Sequence, residues 1–249
     1  MLFNEFGNEQ KPVVLCMHGM LQDWRKEYEL VKPLEDEFYV IVPAMDGMYP
    51  GSQEFTTFAE QCRQIEEYIQ INYRGHICGV FGCSQGATVL SELLARNRVK
   101  IDVAVFDGIY LAHQGNLAAW FGYTIFKRIK KNGGKFPKAM DVPMKLMGLG
   151  EEDYKMFDEI YWDVSDISMK NNFYENYNYR INPRIRDTNT KIHIWCGEKE
   201  PYALKSHKIL KKYINNYEEK IFEGMGHGQM MLKHNKKFFE MVKEALKSV

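Results

Sequence analysis

The stretch FGCSQGA, residues 81–87, sets one serine between two glycines, Gly82 and Gly86, at the junction of two differently patterned runs. Before it lies the apolar run Ile77–Phe81, and after it Gln85–Arg96 carries the spacing of a helix. G-x-S-x-G between a strand and a helix demands a tight corner. Such a corner forces its central residue into a strained backbone and points that side chain out of the sheet. A Cβ at either flanking glycine would clash with the adjoining strand or helix. The turn also aims the first amides of the helix at the same spot, where they can stabilise a negative oxygen. A serine between glycines is by itself a common turn, so the motif gains its weight from this setting. Ser84 is read as a candidate nucleophile, and Cys83, off the apex, as a packed thiol.

Outward from that corner, strand and helix alternate. Short apolar runs rich in β-branched residues predict strands at Pro12–His18, Phe38–Pro43, Ile77–Phe81, Ile101–Phe106, Lys191–Cys196 and near Lys220–Phe222. Helices are predicted at Asp23–Glu37, Phe55–Tyr73, Gln85–Arg96, Tyr202–Ile214 and Gln229–Lys247. This alternation implies the α/β class, with a mostly parallel central sheet and helices on both faces. It breaks between about His113 and Asn189, a span too long for an ordinary loop and rich in aromatics, among them Trp120, Phe121, Phe136, Tyr154 and Phe157. The expected organisation is an α/β core from residues 1–112 and 190–249, with an inserted helical cap at 113–189. Most of the cap's aromatics are expected to form its own small core, and some an apolar, water-excluding pocket. Within it, FKRIKKNGGKFPK, residues 126–138, holds six basic residues around two glycines. It reads as a solvated loop, with attraction of an anionic substrate or membrane surface as the alternative.

Composition narrows the function classes. The 249 residues carry 33 basic and 33 acidic side chains, and this balance argues against a nucleic-acid partner. The first residues, MLFNEFGNEQKP, show no leader pattern, and no apolar run is long enough for stable membrane insertion. The five cysteines are an odd number without metal-like spacing, and Cys16, Cys78 and Cys196 sit in strand-like runs. Reduced thiols in a cytoplasmic protein, with no metal and no cofactor, are the expectation.

A serine hydroxyl is a poor nucleophile until a base takes its proton. His227, in the glycine-rich loop FEGMGHGQM, can be carried across the top of the sheet. His207 and His234 lie among lysines and read as solvated, His193 alternates with Ile192 and Ile194 and reads as structural, and His76 shows no partner. For the carboxylate that holds the imidazole, CGEKEP after the strand ending at Cys196 offers Glu200, stiffened by Pro201. Glu198 and Asp107, the latter in VFDG, are the alternatives. MHGM, residues 17–20, follows the first strand run. The Met20 amide there would pair with the Gln85 amide as an oxyanion hole, one donor of which is worth about 3 kcal/mol. His18 is expected to support that loop through hydrogen bonds.

MHGM, GCSQG, CGEKEP and GMGHG, in this order, resemble the oxyanion loop, nucleophile elbow, acid turn and histidine loop of the α/β-hydrolase superfamily. The resemblance spans nearly the whole chain and puts the insertion where that family carries a helical cap. Many relatives have Asp where Glu200 stands, and the short N-terminal end leaves room for about six parallel strands plus at most a frayed one near Leu2–Phe6. The resemblance implies a serine hydrolase that cleaves a carboxylic ester, thioester or lactone of a small apolar substrate through an acyl-enzyme on Ser84. Acyl transfer or C–C bond hydrolysis on the same residues, and a non-catalytic ligand-binding protein, are the alternatives.

Overall fold

The computed structural model describes residues 1–134, 144–145, 148–150, 153 and 160–248; Phe136, Tyr154, Phe157 and the end of the 126–138 run lie outside the described residues. Seven strands form one sheet: β1 Leu2–Phe6, β2 Val13–Met17, β3 Tyr39–Ala44, β4 His76–Cys83, β5 Lys100–Asp107, β6 Lys191–Gly197 and β7 Tyr217–Phe222. Their spatial order is β1-β3-β2-β4-β5-β6-β7. The pairs from β3 through β7 are all parallel, which makes six parallel strands, and β1 adds antiparallel to β3. β1 is not frayed: all five residues pair, from Leu2 with Ala44 to Phe6 with Val40.

Near-continuous apolar runs form β2 to β6 because the sheet is covered on both faces there, whereas the edge strands β1 and β7 carry charged residues and are partly or largely exposed. Successive residues serve opposite layers. Leu15, Val80 and Ala104 join one core with Phe58, Ile65 and Leu90, whereas Cys16, Phe81 and Val105 join the other with Val31, Phe238 and Phe239. The first layer is built by helices α2 (Phe58–Tyr73) and α3 (Gln85–Arg96), the second by α1 (Trp24–Val31) and, further along the chain, Asn235–Leu246. α1 stops short of the predicted Glu37, because Pro33 has no N–H to continue it, and the chain tightens into a 3-10 turn at Lys32–Asp36. The predicted C-terminal helix divides into Gln229–Lys233 and Asn235–Leu246, with His234 at the joint in a non-helical backbone.

Between β5 and β6 the described residues form α4 (Asn116–Lys131), α5 (Asp166–Asn178) and a 3-10 turn at Pro183–Asp187. α4 packs against α5 through Phe126 and Phe173, whose ring centroids are 5.0 Å apart, and through a 2.6 Å ion pair from Lys127 to Asp166. The remaining helices are α6 (Pro201–Leu210), α7 (Gln229–Lys233) and α8 (Asn235–Leu246). Because β4, β5, β6 and β7 run parallel, their C-terminal ends at Cys83, Asp107, Gly197 and Phe222 share one edge of the sheet, the side on which α/β folds place ligands.

Candidate active site

Ser84 follows the last residue of β4 and precedes the first residue of α3. Its φ of 51° and ψ of −115° lie where non-glycine residues are rarely found. The glycines on either side make the corner possible. A Cβ at Gly82 would come within 2.7 Å of the Gly86 carbonyl oxygen, and one at Gly86 within 2.1 Å of the Met17 carbonyl oxygen. The Ser84 amide is fixed by donating to the Asp107 carbonyl at 2.8 Å. The side chain is half-buried at the strand ends.

His227 and Glu200 meet in the same place. His227 Nδ1 lies 2.6 Å from Glu200 Oε2, and Glu200 Oε1 accepts the Gly197 amide at 2.6 Å. Both side chains are buried, Glu200 at 1% exposure. Burial alone would depress the imidazole, but the charge and hydrogen bond of Glu200, with Asp107 behind them, hold His227 above its ordinary value. Facing a carboxylate, which only accepts, Nδ1 is the nitrogen that donates. Neither His227 Nε2 nor Ser84 Oγ has a hydrogen-bond partner among the described residues. Asp107 and Gly108 link the two groups. Asp107 holds the Ser84 amide, and Gly108 leaves the space that the imidazole fills, since a Cβ on Gly108 would come within 2.7 Å of His227 Cε1.

The three candidate carboxylates have separate surroundings. Glu200 bonds the imidazole. Glu198 is exposed and accepts the Gly224 amide at 2.9 Å, which braces the loop that carries His227. Asp107 is buried beside both Glu200 and His227. Burial first, and then the negative charge of Glu200, push its carboxyl up to about 7, against a smaller opposing pull from His227.

The loop after β2 flanks the serine. A Cβ on Gly19 would lie 3.6 Å from Ser84 Cβ, which places the Met20 backbone beside the corner. The amides of Met20 and Gln85 have no acceptor among the described residues. Gln22 Oε1 accepts the Gly19 amide and shapes this loop. His18 is fully buried, its Nδ1 on the Gly19 carbonyl at 2.9 Å and its Nε2 taking the Met45 amide at 3.3 Å. Burial lowers it to about 4, so it is neutral and serves as a brace for the loop.

Some neighbours could not be found from sequence. The Tyr110 ring packs edge-on to His227 at 5.2 Å, and its hydroxyl is buried with no partner among the described residues. The 108–190 stretch is tied to three surrounding loops. The Tyr161 amide donates to the Leu21 carbonyl at 2.7 Å, and Ser168 Oγ accepts the Phe55 amide at 2.8 Å. Asp153 is held by Gln229 Nε2 and Lys233 Nζ, each at 2.7 Å, while Gln229 Oε1 accepts the Gly226 amide at 2.8 Å next to His227.

Two histidines differ from the sequence reading. His207 is 1% exposed, because its helix turns it toward the sheet, where Nδ1 meets Glu219 at 3.0 Å. His76 has a partner after all, Asp102 on the adjacent strand at 2.8 Å. His234 is exposed, and His193 is buried against Ser248. The five cysteines form no disulfide among the described residues, and no group of three or more His, Cys, Asp or Glu there is placed to hold a metal ion. No helix among the described residues is long and apolar enough to cross a membrane.

No protein-family model matches the chain, and no curated protein matches it. Solved structures do match over the full length. An α/β-hydrolase family protein from Desulfitobacterium hafniense superposes with a TM-score of 0.85 at 18% identity, covering 99% of this chain and 100% of its own. An esterase from Exiguobacterium antarcticum gives 0.78 at 16% identity, covering 99% and 95%. MenH from S. aureus gives 0.76 at 17% identity, covering 98% and 97%. Likeness at this identity establishes a fold, and that fold is the α/β-hydrolase fold.

Proposed function

We propose that this chain, an α/β-hydrolase by fold, is a serine hydrolase that cleaves a carboxylic ester, thioester or lactone of a small apolar substrate. The observation that carries the reading is the convergence of a serine at φ 51° with a buried His227–Glu200 pair on one edge of the sheet. The strained corner presents Ser84 Oγ away from the strand. The glutamate fixes the imidazole with Nδ1 protonated, so that Nε2 is the basic nitrogen.

In the reaction, Nε2 takes the Ser84 proton as Oγ bonds to the carbonyl carbon. The Met20 and Gln85 amides receive the charge that develops on the carbonyl oxygen. Collapse of the tetrahedral species breaks the bond to the alcohol or thiol, which leaves with the proton from Nε2. Water then gives its proton to Nε2, attacks the acyl-enzyme and releases the acid, and the proton returns to Ser84 Oγ. The 113–189 segment would act as a cap, a role consistent with its bonds to the Leu21 carbonyl and to Gln229 on opposite sides of the serine.

Intact mass after exposure to a fluorophosphonate, with Ser84→Ala as control, tests this. One adduct on the wild type and none on the variant is the expected result, followed by hydrolysis of activated esters. One observation favours a second reading, a hydrolase-like ligand-binding protein: among the described residues no hydrogen bond joins Ser84 to His227. A folded wild type that takes no adduct and turns over no activated ester supports that reading and overturns the first.

A further inference from the structure

α4 has apolar side chains on both of its faces. Ala119, Ile125, Phe126 and Ile129 are buried toward α5 and the core. On the opposite side, at spacings of three and four, Leu117, Trp120 and Phe121 stand out at 79%, 52% and 53% exposure. The same outward stripe continues about two and three turns beyond Phe121 as Arg128 and Lys131, both exposed. Beside the last turns of α4, where Lys127 pairs with Asp166, the start of α5 carries Ile167, 60% exposed, and exposed Lys170.

Single exposed apolar residues need no explanation, but a leucine, a tryptophan and a phenylalanine on adjacent turns of one helix form a patch of the kind that marks an interaction site. The charges beside it choose the partner. α4 contains four basic residues, Lys127, Arg128, Lys130 and Lys131, and no acidic one, within a chain whose net charge is zero. The acids of α5 do not cancel them on the outer side. Asp166 is taken by Lys127, and Glu175 turns inward to the Phe58 amide at 3.0 Å.

We infer that the outer face of α4, with the adjoining end of α5, docks on the surface of an anionic lipid bilayer. Leu117, Trp120 and Phe121 enter the boundary between headgroups and acyl chains, and Arg128, Lys131 and Lys170 meet the phosphates. A tryptophan ring suits that boundary because its body is apolar while its N–H stays with polar groups. The helix lies along the membrane surface, its first turns contributing the apolar side chains and its last turns the cations, whose long stems let the charges stay with the headgroups. A bilayer engages the apolar and cationic halves together. A second copy of the chain would cover the apolar half and leave the cations unmatched.

The test is vesicle co-sedimentation of the full chain carrying Ser84→Ala, so that the result does not depend on turnover. Vesicles of phosphatidylcholine are compared with vesicles of phosphatidylcholine and phosphatidylglycerol at low and high salt. The chain should bind the anionic vesicles at least about tenfold more tightly than the neutral ones, with the difference shrinking as salt rises. Trp120→Ser/Phe121→Ser and, separately, Arg128→Glu/Lys131→Glu should each lower that binding by about tenfold or more. In the otherwise wild-type chain, both double variants should keep hydrolysis of a soluble ester. Absence of binding to either vesicle overturns the inference, as does binding that neither double variant reduces. Sedimentation velocity closes the remaining case. A wild-type dimer that Trp120→Ser/Phe121→Ser converts to monomer assigns the face to a second copy and overturns the lipid assignment.

Discussion

Two buried histidines in neighbouring regions, His227 and His207, each meet a glutamate, one buried and one exposed. His227 Nδ1 meets Glu200 at 2.6 Å at the C-terminal edge of the sheet, while His207 Nδ1, on α6, meets Glu219 on β7 at 3.0 Å. Both imidazoles are nearly sealed from solvent, at 5% and 1% exposure. Glu219 is also held by Lys211 at 2.8 Å, whereas the other charge beside Glu200 is a second carboxylate, Asp107. One glutamate thus has its charge answered by a lysine and the other does not. The outward nitrogens differ too. His207 Nε2 is buried with no partner among the described residues, while the loop carrying His227 sets its ring against Gly108, one residue beyond the Asp107 carbonyl that fixes Ser84. A histidine bonded to a carboxylate is therefore not in itself an active site. The place its second nitrogen reaches decides its use.

The sharpest way to break this contrast is to remove each histidine in turn. His227→Ala should lower kcat for an activated ester by about a millionfold, as should Ser84→Ala, because groups that act as a unit fail together. Ser84→Ala should melt close to the wild type, whereas His227→Ala, which leaves buried Glu200 without its partner, should melt lower. His207→Ala should leave kcat unchanged. Comparable losses from both histidine variants would erase the distinction.

The glutamates come next. Glu200→Gln keeps the shape but removes the charge that holds the imidazole in its useful tautomer, and should cost about ten-thousandfold in kcat. Glu219→Gln should cost no activity. If Asp107→Asn falls as far as Glu200→Gln is expected to, while Glu200→Gln itself stays near wild type, the carboxylate that acts on His227 is the one on β5. The effect of the second pair is expected in stability instead. His207→Ala loses a part-buried hydrogen bond and leaves a hole, and the melt should report a loss of about 1–3 kcal/mol.

Much of this contrast could be read from the sequence, and the rest could not for definite reasons. The apolar runs mark β2 to β6 to within one or two residues because those strands are covered on both faces, whereas exposed β7 begins at Tyr217, three residues before the expected Lys220. α3 begins and ends at Gln85 and Arg96 as the spacing predicts. The elbow was legible because only glycine fits beside Met17 and opposite Gly86. The choice among Glu198, Glu200 and Asp107 was not, since all three lie at or just past strand ends on one edge. A single amide, that of Gly197, orients Glu200, and another, that of Gly224, turns Glu198 away. His207 looked solvated because lysines surround it in sequence, but the face a helix buries depends on the strand beneath it. His76 and Asp102 are 26 positions apart and meet only through strand pairing. β1 looked frayed because its partner, β3, lies more than thirty residues away.

The smallest effect expected is the one that separates the two carboxylates around His227. Because the imidazole is held above its ordinary value of 6.5, it is fully neutral only at a higher pH, so the acid limb of kcat/KM should lie above 6.5. Asp107 contributes to that lift through its charge. Asp107→Asn should therefore move the limb down toward the ordinary imidazole value and leave KM nearly unchanged, which a purely structural role would not do. Stability gives an independent reading of the same group. Its folded value, about 7, lies above its unfolded 3.8, so the fold favours the protonated acid. That contribution is complete below 3.8 and is lost as the pH rises through about 7. Asparagine resembles the protonated acid in shape and, like it, carries no charge. Asp107→Asn should then be more stable than the wild type above neutrality, with the difference closing as the pH falls. An acid limb that does not move, together with a stability difference that is flat in pH, would remove Asp107 from the electrostatics of the site and leave Glu200 as the only carboxylate that matters to His227.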